Sequence, residues 1–95
     1  MTKVKVLFWK EVPSVVEARD TGGVKKVELS KRFMELIDLI AMRQGLIGSD
    51  DYLSHWSKKA QKNSPLSALE AAQTVAKQLE NQYEQIRSAA LKSLK

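Results

Sequence analysis

A chain of 95 residues with 43% apolar and 28% charged residues is sized for one globular domain and too apolar to be disordered as a whole. It has no cysteine, which removes disulfides and thiolate chemistry, and its lone histidine, His55, removes any multi-histidine metal centre. The net charge of +5 is lopsided: residues 1–32 carry eight Lys/Arg against four Asp/Glu, leaving +4 there and about +1 on the remainder.

Val4, Val6 and Phe8 alternate with Lys3, Lys5 and Leu7, the period-two pattern of a half-buried strand. On that pattern Trp9 joins Leu7 on the face opposite Phe8, exposed as an apolar patch between lysines or, if the third helix covers that face, buried with it. Pro13 cannot donate to a ladder, so the strand ends there or just before it. A second run sets Val16 and Ala18 against Glu17 and Arg19, and a third sets Val27 and Leu29 against Lys26 and Glu28. Between them Asp20-Thr21-Gly22-Gly23 supplies an Asp that can bond its own backbone and two glycines free to take positive φ, a hairpin turn. Residues 4–29 therefore read as a three-stranded antiparallel β-meander.

Ser30 suits a helix N-cap. After it Phe33, Leu36, Ile37, Ile40 and Ala41 form one helical stripe, and Gly45 stops it. Ser49-Asp50-Asp51 opens a second helix with Tyr52, Leu53, Trp56 and Ala60 on its apolar side, so residues 31–62 are expected to hold two helices. Ser64-Pro65 offers a cap and a first-turn proline for a third, over residues 65–94. Its apolar positions Leu69, Ala72, Ala76, Leu79, Tyr83, Ile86 and Ala90 are spaced alternately by three and four, a heptad seam weakened by its alanines. About 30 residues at 1.5 Å each make a helix of roughly 45 Å. That is longer than such a domain is wide, so its far end is expected either to pack on a partner, a second copy among the candidates, or to fray. The fold expected is a single α+β domain over 1–95: a three-stranded antiparallel meander packed with three helices, the last one long.

The apolar run between the N-terminal lysines is only four residues, shorter than the apolar segment of a signal peptide, and no stretch approaches a membrane span. The expected location is the cytoplasm, with no membrane partner.

Three blocks carry a resemblance: Phe8 to Arg19 ("FWKEVPSVVEAR"), Val27 to Met42 ("VELSKRFMELIDLIAM", whose match begins at Val27), and Asp50 to Trp56 ("DDYLSHW"). Together they resemble the small bacterial family labelled virulence factor. The matching positions are Trp9, Lys10, Glu11, Val12, Pro13, Arg32, Phe33, Ile37, Asp38, Ala41, Met42, Tyr52, Leu53 and Trp56, and the likeness covers most of residues 4–85. Lys10 stands where an arginine is more usual and Glu11 where an aspartate is. A lysine there would pair less well with a carboxylate than the planar guanidinium. The resemblance implies an accessory module and brings no known catalytic residues.

Candidate chemistry is sparse. Asp51 and His55 lie at i and i+4, close enough on a helix for a carboxylate to orient an imidazole, but no nucleophile or pocket accompanies them and a solvent-facing pair explains the spacing. Glu35 and Asp38 at i and i+3 present paired carboxylates, and an acid beside an apolar stripe more often bonds an arginine or a strand-end amide. Gly22-Gly23 lacks the Gly-Lys-Ser/Thr ending of a phosphate loop and joins two strands, so it is read as the hairpin turn. No catalytic residue, metal or cofactor is expected.

The expected function is a non-enzymatic accessory or adaptor module acting through protein contacts at Leu7, Trp9 and Lys10 on the first strand and at Leu79, Tyr83 and Ile86 on the last helix. Its partner is an unidentified protein or another copy of the chain. The alternative is a small nucleic-acid-binding protein that uses Lys3, Lys5, Lys25, Lys26, Lys31 and Arg32 as a phosphate-facing surface, with Trp9 available to stack on a base. Against both stands the plain possibility of edge lysines that only discourage aggregation.

Overall fold

The structure is a computed structural model that describes residues 1–46 and 48–93. Within them the chain is α+β, in the order β1 (Lys3–Trp9), β2 (Val12–Asp20), β3 (Gly23–Glu28), α1 (Lys31–Arg43), α2 (Asp50–Ser54), β4 (Trp56–Ala60), α3 (Ala68–Asn81) and α4 (Tyr83–Lys92). The strands form one antiparallel sheet in the order β3-β2-β1-β4. The N-terminal meander, its hairpin turn and the α1 stripe are as the sequence predicts. The described residues hold four strands and four helices where three and three were expected.

The turn between β2 and β3 works through Asp20 and Gly23. The Gly22 N–H donates to Asp20 Oδ1 at 2.8 Å, and Gly23 takes φ +129°, a conformation strained for any residue with a Cβ. Asp20 also accepts the Ala68 N–H at 2.8 Å, which ties the start of α3 to the end of β2. These backbone donors, that of Ala68 foremost, hold the Asp20 carboxyl below its ordinary pKa.

The fourth strand replaces the far half of the expected second helix. That helix is only five residues long, after which Trp56–Ala60 add to the free side of β1, with Leu7 opposite Lys58. The i, i+4 spacing of Tyr52, Trp56 and Ala60 resembles a helical stripe, but β1 has two edges and only one is taken by β2. Its remaining backbone groups bond the passing chain, and that non-local pairing overrides the local pattern.

The expected long helix also differs. It starts at Ala68 rather than Pro65, because Ser67 is the N-cap: its hydroxyl oxygen accepts the Glu70 N–H, and its O–H donates to the Glu70 carboxylate. The helix then breaks at Gln82. Beyond the break Tyr83 packs edge-on against Phe33, with ring centroids 5.1 Å apart, and Ala90 is fully buried. At the far end the Ser93 hydroxyl donates to Glu11 at 2.9 Å. Residues 83–93 thus lie along the domain rather than projecting from it; Leu94, the expected end of the helix, lies outside the described residues.

One core joins sheet and helices. Val4 and Val6 of β1 and Val16 and Ala18 of β2 face Phe33, Leu36, Ile37, Ile40 and Ala41 of α1, and α3 contributes Ala68, Ala71, Ala72 and Ala76. A fully buried side chain such as Phe33 or Ile37 contributes roughly 1.5–3 kcal/mol by leaving water. A polar clasp closes the helical layer. Ser30 is the N-cap of α1 by position, but its hydroxyl donates to Glu80 Oε1 at 2.7 Å and its N–H to Oε2 at 2.6 Å. The Arg32 guanidinium lies 3.0 Å from Glu80 and stacks over the Tyr83 ring at 4.3 Å. Burial works to raise the Glu80 pKa, but the bonds from Ser30 and the charge of Arg32 outweigh it and hold the carboxyl below its ordinary value.

Candidate contact surface on the open sheet face

The helices leave one face of the sheet uncovered, and the register fixes which side chains share it. Lys3 lies opposite Arg19, Lys5 opposite Glu17, and Leu7 opposite both Val15 and Lys58. From β3, Val24, Lys26 and Glu28 lie opposite Arg19, Glu17 and Val15. Facing residues of neighbouring strands project to the same side. Every one of these side chains is exposed or half-buried, whereas Val4, Val6, Val16 and Ala18 of the other face are buried.

Glu17 is the electrostatic centre of this face. Its carboxylate is 3.4 Å from Lys58 Nζ and 4.0 Å from Lys26 Nζ, so one acid gathers lysines from two strands on either side of it. Exposed pairs of this kind contribute little stability, about 0–1 kcal/mol; what they do is orient the lysines. Beneath them Leu7 and Val15 floor a cavity of about 250 Å³, walled by Lys5, Glu17, Lys26, Glu28 and Lys58. A neighbouring hollow of about 330 Å³ is lined by Lys3, Lys5, Glu17 and Arg19. Five cations stand on this face (Lys3, Lys5, Arg19, Lys26 and Lys58) against Glu17 and Glu28, a net of +3.

Of the expected contact residues, Leu7 is on this face and Trp9 is not available. The β1–β2 ladder slips between Leu7 and Phe8, so that Phe8 pairs with Pro13 and Ser14 of β2 is passed over, while β1 stays in step with β4 and sets Trp9 opposite Trp56. Trp9 is wholly buried: its indole N–H donates to the Tyr52 carbonyl at 2.8 Å, and the Tyr52 and His55 rings lie with centroids 5.5 Å away. Lys10, in the left-handed region at φ +53°, lies over the Trp9 ring and donates to the Gln44 side chain. Leu79, Tyr83 and Ile86 are half-buried against the chain's own core, so the seam expected to meet a partner is spent inside the domain.

The expected phosphate-facing set divides. Lys3, Lys5 and Lys26 share the open face. Lys25 pairs with Ala18 and points to the opposite side, while Lys31 and Arg32 begin α1, Arg32 being engaged by Glu80. Three contributors were missed. Val15 and Arg19 are legible from the alternation that places Glu17, but Lys58 has no local signal because it depends on β4 pairing with β1.

The remaining candidate groups do not converge on a reaction centre. Asp51 is exposed while His55 packs on Trp9, and Glu35 and Asp38 are exposed on α1. Burial, and after it the charge of Asp38, raises the Tyr52 phenol above its ordinary pKa. Among the described residues no cluster of three or more His, Asp or Glu could hold a metal ion, and no helix is long and apolar enough to cross a membrane.

Compared with known proteins, the family described as "Virulence factor" matches residues 7–94. No curated protein and no solved structure matches the chain.

Proposed function

Starting from the fact that this chain belongs to the Virulence factor family over residues 7–94, we propose that it is a non-enzymatic accessory module of the cytoplasm that acts through protein contacts on the open face of its sheet. One observation carries this reading: Leu7 and Val15 floor a concavity of about 250 Å³ on an uncovered sheet face, rimmed by lysines that Glu17 holds in place. An apolar floor with a charged rim is the usual anatomy of a contact patch. The non-enzymatic part is supported by where the ionisable candidates lie, with the imidazole of His55 packed on Trp9 and the carboxylates of Glu35 and Asp38 turned to water.

The test is a quantitative comparison of proteins retained by the native chain, by Val15→Glu and by Met42→Glu, a change at an exposed site on α1. A partner retained by the native chain and the Met42 variant but lost with Val15→Glu supports the open face. Retention that ignores the Val15 change sinks it.

A second reading has its own observation. Lys3, Lys5 and Arg19 crowd one hollow of about 330 Å³, which suits a phosphate backbone. Against it, Trp9 is buried and leaves that face without an aromatic platform for bases. Anisotropy of labelled single- and double-stranded nucleic acid over a salt series decides: affinity falling steeply with salt favours this reading, and no binding at low salt removes it.

A further inference from the structure

The sheet ends at β4, and nothing among the described residues pairs with its outer edge. Two backbone bonds fix which groups that edge presents. The Gln61 N–H donates to the Val4 carbonyl at 2.8 Å, and the Lys10 N–H donates to the His55 carbonyl at 3.1 Å. Combined with the register of Lys5 opposite Ala60, they set the phase of the ladder. Ser57 and Lys59 turn their N–H and C=O toward β1, and Trp56, Lys58 and Ala60 turn theirs outward. Residues 57–60 are all exposed, so this edge is reachable.

The chain beside it is basic. Lys58 shares its charge with Glu17, 3.4 Å away across the sheet, which leaves Lys59 as the strand lysine without an acidic partner among the described residues. Between Asp51 and Glu70 the chain carries Lys58, Lys59 and Lys62 and no acid. The two strand lysines leave by opposite faces: Lys58 lies opposite Leu7 on the open face, and Lys59 lies opposite Val6, with its Nζ over the Phe8 ring at 5.2 Å. We propose that the outer edge of β4 receives an extended acidic segment of a partner protein as a fifth strand. The backbone of Trp56, Lys58 and Ala60 supplies the ladder, and Lys58 and Lys59 select acidic side chains at adjacent positions of the incoming strand. This inference rests on the open-face reading and deepens it, since such a strand would extend the same face past Leu7 and Lys58. A second copy of β4 is a poor occupant, because antiparallel pairing would set its lysines against these. A strand partner gains affinity from the main chain and selectivity from alternate side chains.

The test uses a fluorescein-labelled peptide, Val-Glu-Asp-Glu-Val-Glu-Val, its lysine counterpart, and a single-stranded oligonucleotide of matching charge. Binding is read by anisotropy and its location by amide hydrogen exchange. The expected result is that only the acidic peptide binds and that it slows exchange at Trp56, Lys58 and Ala60, while Ser57 and Lys59 are protected with or without it. Ala60→Pro removes one outward N–H without changing charge, at an edge position where proline is tolerated. It should weaken binding about tenfold, and Lys58→Glu with Lys59→Glu should weaken it further. Acidic peptide bound with the three amides still exchanging freely, and sensitive to Val15→Glu, would overturn the edge while leaving the open face in place. Equal binding of the lysine peptide, protection of the edge by the oligonucleotide instead, or no binding of the acidic peptide would each overturn it, the last leaving the lysines as a guard against aggregation.

Discussion

Replacing Glu80 tests the clasp between α1 and the α3–α4 junction. Two donors from Ser30, at 2.6 and 2.7 Å, and the Arg32 guanidinium, at 3.0 Å, converge on its carboxylate. Hydrogen bonds to a charged group contribute roughly 1.5–3 kcal/mol each when sheltered. Here the side chains of Arg32 and Glu80 are 46% and 28% exposed, so screening leaves the ion pair about 0.5 kcal/mol and water replaces part of the Ser30 bonds. Glu80→Ala should therefore cost about 2 kcal/mol, or roughly 8–10 °C in Tm for a chain of this length. Glu80→Gln should cost about 1 kcal/mol, since its amide oxygen still accepts one bond. The pH dependence has a definite sign. The folded Glu80 pKa lies below its ordinary 4.5, so its stabilisation is present above that value and is lost as pH falls through the folded one. Urea titrations of native and Glu80→Ala protein at pH 7 and pH 3 read both effects. A cost below about 0.5 kcal/mol at pH 7, or the same gap at both pH values, would refute the clasp.

Trp9→Ala should cost about 3–5 kcal/mol by urea titration, because a fully buried indole and its bond to Tyr52 are lost together; a cost under about 1 kcal/mol would mean the indole is not held inside. The double change Tyr83→Glu and Ile86→Glu should lower stability by roughly 3 kcal/mol and leave the mass by light scattering unchanged, since both side chains pack on their own core. A fall in mass with stability intact would return the seam to a partner. Asp20→Asn should destabilise the fold at neutral pH and progressively less in acid, because the native carboxyl has a lowered pKa and its contribution fades as pH falls through it. A difference that does not narrow in acid would show that Asp20 acts only through its shape.

The elements legible in the sequence are those whose partners lie nearby in the chain. The alternation of Val4 and Val6 and the Asp20–Gly23 turn specify the meander, and Phe33 to Ala41 specify α1. β4 was not legible: Trp-Ser-Lys-Lys-Ala has neither alternation nor β-branched residues and is a strand only because β1 has an unsatisfied edge. The exposure expected of Trp9 fails because Tyr52 and His55, which are more than 40 residues away in sequence, pack against it, and such non-local cover leaves no mark in local hydrophobicity. The start of α3 was legible and passed over, since Ser67 and Glu70 have capping-box spacing. Its break at Gln82 follows Asn81, a poor helix former, but the seam runs through it without a change of spacing. The candidate surface inherits these errors. Lys3, Lys5, Leu7 and Lys26 follow from local alternation, while Lys58 enters only through the pairing of distant segments.

The alanine-rich face of α3 makes the separation between helix and sheet a shared property of two layers. Ala68, Ala71, Ala72 and Ala76 meet a sheet whose own inner positions include Ala18 beside Val4, Val6 and Val16. Alanine has no rotamer to change, so a larger residue at Ala72, which is fully buried, can be housed only if the helix lifts or a facing side chain shrinks. Substitutions on this helix should therefore be accepted in compensating pairs, one residue enlarged as another across the gap is reduced. A lifted helix would carry Ala68 away from Asp20 and Glu80 away from Ser30, so the thickness of this gap is also what keeps both polar ties within reach.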